Sequence, residues 1–391
     1  MPLLIALSFA AFASAVQTRA LDPMLPIVAG DLGVDLSRAA LLVSAYSFPY
    51  AGMQIVLGPA ADALGKVRLI SISLVGVTIG SALCTVAPHY RELVGGRVVA
   101  GACAGGIIPI AWALLGDRVA YAERQLAISR VMIVAIAGQM IGAAGAGAFA
   151  ATIGWRWAFA AAAVIAAGSL GVVTYVLRGT EQAGQRPTLR AAFASYRTVV
   201  ASPMALLVFS AVAGEGILFF GLFPFVAPML AEHGGGAAQA GIAIAGFGLG
   251  GVGYGIFARQ IIHGLGPWRM MAWGGALAGV MYLIMAWPLA WTLVALLFVV
   301  AGFGFYMVHN TLQAQGSELA PTARGAAFAL FAACFFVGQG TGPILGAIVA
   351  RQFGFTALFG GAGVLVVLLA ACAAAAMQRV SRRSGASATA L

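Results

Sequence analysis

Gly58-Pro59-Ala60-Ala61-Asp62-Ala63-Leu64-Gly65-Lys66-Val67-Arg68 is a tight polar turn between two long apolar runs. Asp62 ends the first run, Gly65 permits the positive φ that a sharp helix-to-helix turn needs, and Lys66 and Arg68 place positive charge at the start of the second. The turn therefore reads as a loop joining two membrane-spanning helices.

The composition agrees. The chain has 391 residues, 62% hydrophobic and 8% charged, with a mean hydropathy of +1.00. Soluble domains carry roughly 25% charged residues, so this chain has too little polar surface to wet a soluble fold. A spanning helix needs about 20 apolar residues, and the length suits about twelve of them. The net charge of +10 is spread singly over the ends of apolar runs, with no dense basic patch and no interleaved aromatics. It reads as the positive-inside bias and excludes a nucleic-acid partner. Cys84, Cys103, Cys334 and Cys372 sit within apolar segments without motif spacing, so neither a disulfide frame nor a metal site is expected. Ala13-Ser14-Ala15 imitates a signal-peptide cleavage site. No basic residue precedes it, however, and hydrophobicity continues to Val28, so the stretch reads as one spanning segment.

Apolar segments of helical period fall at 3–29, 38–61, 67–87, 92–115, 126–150, 157–177, 201–230, 237–258, 268–287, 290–314, 324–349 and 355–377. The longest polar connection splits them into six and six. The expected organisation is an N-terminal six-helix half over 1–178, a cytoplasmic linker over 179–200, a C-terminal half over 201–378 and a cytoplasmic tail over 379–391. With the N-terminus cytoplasmic, fifteen Lys and Arg fall inside and four (Arg38, Arg91, Arg156, Arg351) outside, while Arg19 and Arg97 lie within the membrane. Both termini are thus expected in the cytoplasm.

The halves repeat. Gly138-Gln139-x-x-Gly142 returns as Gly338-Gln339-x-x-Gly342, Arg124 matches Arg324, and Gly154-Trp155-Arg156-Trp157-Ala158-Phe159 matches Gly354-Phe355-Thr356-Ala357-Leu358-Phe359 in the same register. Gly255, Arg259, Gly264, Gly266 and Arg269 echo the opening turn. Such duplication places a substrate between the halves near the midplane.

The pattern Gly58, Asp62, Gly65, Lys66 and Arg68 resembles the loop between helices 2 and 3 of the major facilitator superfamily of membrane transporters. Leu93-x-x-x-Arg97-x-x-Ala100-Gly101 in helix 4 and Gly138-x-x-x-Gly142-Ala143-x-x-x-Gly147 in helix 5 are similar to patterns of the twelve-helix drug:proton antiporter branch. Ala100 replaces a frequent Gln there, and Ala143 stands where Pro is expected; the Pro occurs in the repeat, at Pro343. Asp22-Pro23-x-Leu25-Pro26 with Ala29-Gly30-Asp31-Leu32-Gly33, and Gly154-Trp155-Arg156-Trp157-x-Phe159, resemble the end of helix 1 and the start of helix 6 in that branch. The resemblance implies an all-α membrane protein of major facilitator fold in the cytoplasmic (inner) membrane of a bacterium. It further implies a monomer that needs no cofactor and exports small, largely apolar organic compounds against protons by alternating access. The alternative is an importer or uniporter of a small metabolite or organic anion. An enzyme would need a nucleophile–base pair, a metal cluster or a phosphate loop, and none is evident.

A charge near the bilayer centre costs about 3 kcal/mol, which singles out Arg19, Asp22, Arg97 and Glu215. At 1.5 Å per residue, Asp22 and Arg97 lie about 9 to 12 Å from the outer boundary and are expected to meet. Arg19, three residues before Asp22, would complete an Arg–Asp–Arg cluster. Asp22, Arg97 and Glu215 are the candidates for proton coupling. Glu215 lies between Gly214 and Gly216, which are expected to give it flexibility. The candidate substrate contacts are Arg19, Tyr46, Tyr50, Glu215, Phe219, Phe223, His309 and Asn310. Gln54, Gln139, Gln313 and Gln339 suit either a polar cavity or helix-to-helix hydrogen bonds. The candidate gating residues are Gly58, Asp62, Gly65, Lys66, Arg68, Gly138 and Gly142; Asp62 can cap the N-terminus of a neighbouring helix, which the resemblance implies is helix 11, and so is expected to latch the halves.

Overall fold

The computed structural model describes residues 2–179, 189–320 and 323–388, with all their side chains except those at 58, 59, 62, 121, 122, 189–193 and 383–388. Ten helical stretches are long and apolar enough to cross a membrane. The first six are α1 (Pro2–Asp31), α2 (Leu36–Leu64), α3 (Lys66–Val86), α4 (Tyr90–Arg118), α5 (Tyr121–Thr152) and α6 (Trp155–Val176). A linker helix (Leu189–Val200) leads to α7 (Ala205–Ala231). The run Ala237–Met285 is broken at Gly266 and forms α8 (237–265) and α9 (267–285). After α10 (Trp291–Glu318), the run Arg324–Ala388 is broken at Gly354 and forms α11 (324–353) and α12 (355–388). The described residues are helical throughout, an all-α architecture consistent with twelve crossings in two halves. Two helices outrun their expected spans: α8 extends beyond 258, and α12 continues past 377.

The sequence supplies the breaks. Pro23 and Pro26 lack the N–H that would bond the carbonyls of Arg19 and Asp22, and α1 there becomes a 3-10 turn over Asp22–Met24. Pro224 does the same in α7, which turns 3-10 over Phe220–Phe225. In an apolar solvent a freed carbonyl must find another donor. Pro109 frees Gly105 O, and Gln54 Nε2 donates to it at 2.7 Å. Pro59 frees Ile55 O, and Tyr196 Oη of the linker helix donates to it at 2.8 Å.

The repeat is visible in the backbone. Among the described residues, six of the seven positive-φ glycines form pairs offset by 200 or 201 residues, each pair at matching turns: Gly33 with Gly234, Gly65 with Gly266, and Gly154 with Gly354. Gly65 adopts φ +90°, Gly266 +69°. The Gly-Gln repeat packs the same way twice. A Cβ at Gly142 would come 2.5 Å from Val16 O on α1, and one at Gly342 would come 2.7 Å from Ile217 O on α7. Gly138 and Gly142 therefore seat α5 on α1 inside the first half, instead of lying on the surface where the halves meet. That surface uses Gly147 and Gly241, whose added Cβ atoms would run into Ala237 O and Ala143 O across the α5–α8 crossing.

One apolar core spans both halves at the end away from the linker, here the far end, joining Leu21, Met24 and Val28 to Phe219, Phe223 and Leu230. At the linker end the halves keep separate cores, Leu7 with Leu74 and Leu114 in one, and Val208 with Leu312 and Phe331 in the other. The contacts that do cross near this end include the Tyr50–Phe336 stack at 3.7 Å and the Trp112–Phe328 edge contact at 6.4 Å. The linker helix, apolar at 189, 192, 193, 196, 199 and 200, buries Val199 in the second half's core and reaches the first through Tyr196. The halves thus share one apolar core at the far end and keep separate cores, bridged by these aromatic contacts, toward the linker end.

Gly147→Val tests the closure of the far end. The added side chain meets the Ala237 backbone, which cannot rotate away, and overpacking of this kind costs about 1–3 kcal/mol. Spin labels at the exposed positions 141 and 242 should move apart by several ångström, and an unchanged distance would show that the α5–α8 crossing does not set the closure.

Candidate functional site

The break in α1 carries a charged pair, and the break in α7 carries rings. Arg19, 3% exposed, ends the regular first part of α1. Its Nη1 donates to Asp22 Oδ2 at 3.4 Å, one helical turn on, in the 3-10 segment. Its Nη2 donates to Gln339 Oε1 on α11 at 2.6 Å. Its guanidinium carbon lies 4.1 Å from the centre of the Phe220 ring and 5.1 Å from that of Phe223, both on α7. A buried cation is thereby held by both halves, through a charge-assisted hydrogen bond and a cation–π contact, although its Nε is left without a hydrogen-bond partner.

Asp22 and Arg97 do not pair. Arg97 donates from Nε to Leu42 O at 3.3 Å and from Nη1 to Gln17 O at 3.4 Å, with its guanidinium over the Tyr46 ring at 4.3 Å. The depth estimate assumed a continuous helix, but α1 breaks at Asp22, and Arg19 takes the carboxylate. Gln17 O is available because the helix ends just beyond it. The Gln17 side chain meanwhile donates to Ser81 Oγ at 2.5 Å. A buried Gln one turn before the break was the sequence signal for this residue, which had not been singled out.

Glu215, 0% exposed on α7, has Oε2 at 2.9 Å from Nδ1 of His309 on α10. Two residues read separately in the sequence thus form one unit. The flanking glycines give no flexibility. Gly216 lies against the backbone of Phe335 and Gln339 on α11, and Gly214 against Leu369 on α12. Glu215 Oε1 is buried without a hydrogen-bond partner, whereas the His309 side chain is 18% exposed. Phe305 and Phe335 flank the imidazole, each with its ring centre 5.1 Å away. Asn310 is half-buried beside Tyr254.

The expected aromatic contacts divide. Phe219 lies in the second half's aromatic cluster at 5.1 Å from Phe305, and Phe223 in the same cluster under Arg19. Tyr46 and Tyr50 lie on α2, 5.9 Å apart, Tyr46 under Arg97 and Tyr50 against Phe336. Phe220, which was not among the expected contacts, has the ring closest to Arg19.

At the opening turn, Lys66 Nζ donates to Asp117 Oδ2 at 2.5 Å, and Arg68 is exposed. The latch expected of Asp62, and Gly58 with it, lie outside the residues whose side chains are described. Across the far end, Asp31 Oδ2 accepts from Trp155 Nε1 at 3.0 Å and from Arg156 Nη1 at 2.6 Å. Arg156 Nη2 also reaches Ala87 O at 3.2 Å, so the Gly154-Trp155-Arg156 stretch ties α6 to the ends of α1 and α3. Among the described residues, no group of His, Cys, Asp and Glu is placed to hold a metal ion.

The structure is similar to the crystal structure of a bacterial homologue of the human lysosomal transporter Spinster in an inward-facing and unoccupied conformation. The TM-score is 0.70 at 18% identity, covering 95% of each chain, a likeness of fold. Among curated proteins, the chain is 26% identical over 368 residues to the uncharacterized MFS-type transporter YceJ of Bacillus subtilis, covering 91% of this chain and 92% of the relative. It is 27% identical over 186 residues to the multidrug export protein EmrB of Escherichia coli, covering 46% of this chain and 36% of EmrB. The chain spans about a third of the length of several other curated relatives that it matches. The family model of the Major Facilitator Superfamily matches residues 7–326. With its duplicated halves, proline-broken α1 and α7, and charge buried between them, the chain belongs to the Major Facilitator Superfamily of membrane transporters.

Proposed function

We propose that this transporter exports small, largely apolar organic compounds in exchange for protons, with its linker end and both termini in the cytoplasm. The observation that carries the reading is the Glu215–His309 unit. A carboxyl group at 0% exposure touches an imidazole at 18%, so the contact can be kept with the proton on either partner while His309, the more exposed of the two, exchanges it. The orientation is supported by the fifteen Lys and Arg on the linker side against four on the other. The export direction is supported by the similarity to EmrB. On this reading the halves are residues 1–178 and 201–378, rocking about the linker of 179–200, and the protein works as a monomer on protons and substrate alone.

The energetics are adequate. One proton moving inward across 100 mV yields about 2.3 kcal/mol, enough for roughly a fifty-fold gradient of a neutral substrate. Coupling requires the carboxyl group to release its proton in one state and regain it in the other, so its surroundings must differ between them. The far end shares one apolar core while the linker end keeps two, and on this reading Glu215 exchanges protons with the cytoplasm through His309. Opening the far end must pull Arg19 from Phe220, Phe223 and Gln339, because these contacts join opposite halves. Arg97 favours a second reading: among the described residues it is a buried cation with no carboxylate in ion-pair range, which suits an organic anion. Uptake of labelled organic anions, set against extrusion of drugs, separates the two readings.

Glu215→Gln fixes the neutral form. In proteoliposomes it should lose pH-driven accumulation at least about tenfold while retaining substrate exchange at equal pH. Normal pH-driven accumulation by this variant would remove Glu215 from coupling. Asp22→Asn should insert and fold, because Arg19 keeps Gln339 and two rings, yet lose coupled transport. Failure to insert, read by membrane fractionation, would make Asp22 a structural partner of Arg19 instead.

A further inference from the structure

Arg19 lays a fixed cation on an aromatic surface that belongs to the other half. The surface continues beyond the two rings it covers. Phe220 meets Phe305 at 5.1 Å and Phe335 at 5.3 Å, and those two rings flank His309, the partner of Glu215. A continuous aromatic wall therefore runs from the guanidinium of Arg19 to a buried carboxyl group. Phe220 and Phe223 present their faces to the guanidinium, and such faces, with a carboxyl group beyond them, suit an organic cation of delocalised charge. In this conformation the protein's own guanidinium fills one end of the wall. Arg19 Nε and Glu215 Oε1, at opposite ends of the wall, are both buried without hydrogen-bond partners.

The duplication places the two sides of this contact at equivalent positions of the two halves. Arg19 and Asp22 stand one repeat, 201 residues, before Phe220 and Phe223, and Pro23 and Pro224 break both helices at the matching place. Equivalent positions thus face each other across the two halves, with charge on one side and rings on the other. Nothing in the fold requires this division.

We propose that Arg19 is an internal competitor for the cationic part of the cargo: as the far end closes, its guanidinium takes the Phe220–Phe223 face and excludes the cargo's cation from it. The inference rests on the export reading and narrows the cargo to organic cations for this subsite. Loading from the cytoplasm then requires the cargo's cation to displace Arg19 from that face, which removes a contact between the halves and favours opening of the far end. A neutral compound gains little from the ring quadrupole and is not opposed by Arg19. Arg19 is on this account a specificity-determining residue as well as a contact between halves.

The test is equilibrium binding to the purified full chain in lipid nanodiscs, with ethidium as the cation and N-phenyl-1-naphthylamine as the neutral probe. Removing Arg19 alone would strand Asp22, so Arg19→Leu is made together with Asp22→Asn and compared with Asp22→Asn alone. The double variant should bind ethidium about tenfold more tightly than its reference, with little change for the neutral probe. Adding Phe220→Leu should abolish the gain. An equal change for both probes would make Arg19 a gate without selectivity, and no change for ethidium in a monodisperse protein would overturn the proposal. If the double variant does not fold, Phe220→Leu in the otherwise unaltered chain decides: it should weaken ethidium binding several-fold relative to the neutral probe, and an unchanged ratio rejects the proposal. Binding is measured without a gradient. Loss of pH-driven export with this selectivity intact would therefore count against the export reading and leave the competitor standing.

Discussion

A guanidinium buried where two halves meet must be satisfied from both sides, and much of the far end of this transporter follows from how Arg19 achieves it. Desolvating a cation is costly unless partners replace the lost water. Asp22 supplies the opposite charge from the same helix, while Gln339, Phe220 and Phe223 supply the rest from the other half. The contact is therefore strongest when the halves are together, and separating them at the far end leaves Arg19 with Asp22 alone. A charge placed in this way resists opening until something else compensates it, which is what a transporter needs from a gate.

The surrounding helices make that placement feasible by breaking where they must. Prolines in α1 and α7 convert the helices to 3-10 turns at matching points, and the freed backbone groups bring polar atoms to the midplane without separate loops. The same device recurs elsewhere. Gln54 takes the carbonyl released by Pro109, and Tyr196 takes the one released by Pro59. Each proline in a spanning helix creates a demand for a donor, and these two demands fix α2 to α4 and the linker helix to α2. Tyr196 thus makes the linker part of the structure at the end where the halves keep separate cores.

Much of this was legible in the chain. The apolar runs gave the helices, and the recurrence of Gly138-Gln139-x-x-Gly142 at 338–342 gave the duplication, because close helix crossings require small residues at fixed spacing. The positive φ of Gly65 was readable because a one-residue turn between long helices leaves few alternatives, and Gly266 stands in the echo of that turn. The charged residues of the site were also legible, since an ionisable group in an apolar run stands out. Their partners were not. Whether Asp22 meets Arg97 or Arg19 depends on rotation about α1 after its break, and a straight-helix depth estimate cannot carry that. Glu215 and His309 are 94 residues apart on α7 and α10, and no periodicity relates one helix's azimuth to another's. Gly214 and Gly216 read as a hinge because glycine has two uses, flexibility and close approach, and only the neighbouring backbone of α11 and the Leu369 side chain show which applies.

Pseudo-symmetry explains why the site is asymmetric. Two copies of one unit bring equivalent positions face to face, so identical residues there would oppose like with like: two arginines would repel, and two phenylalanines would leave no charge to sense. Divergence of the copies resolves this by making the meeting complementary, Arg19 and Asp22 on one side and Phe220 and Phe223 on the other. The acid of the second half is displaced to Glu215, where α10 provides His309. The symmetric parts, the Gly-Gln crossings and the glycine turns, hold each half rigid. The asymmetric parts lie where the halves join or beside that junction. Motion and chemistry are thereby assigned to different residues of the same repeat, and a change in the charge state of one side can alter how firmly it holds the other without disturbing the packing within either half.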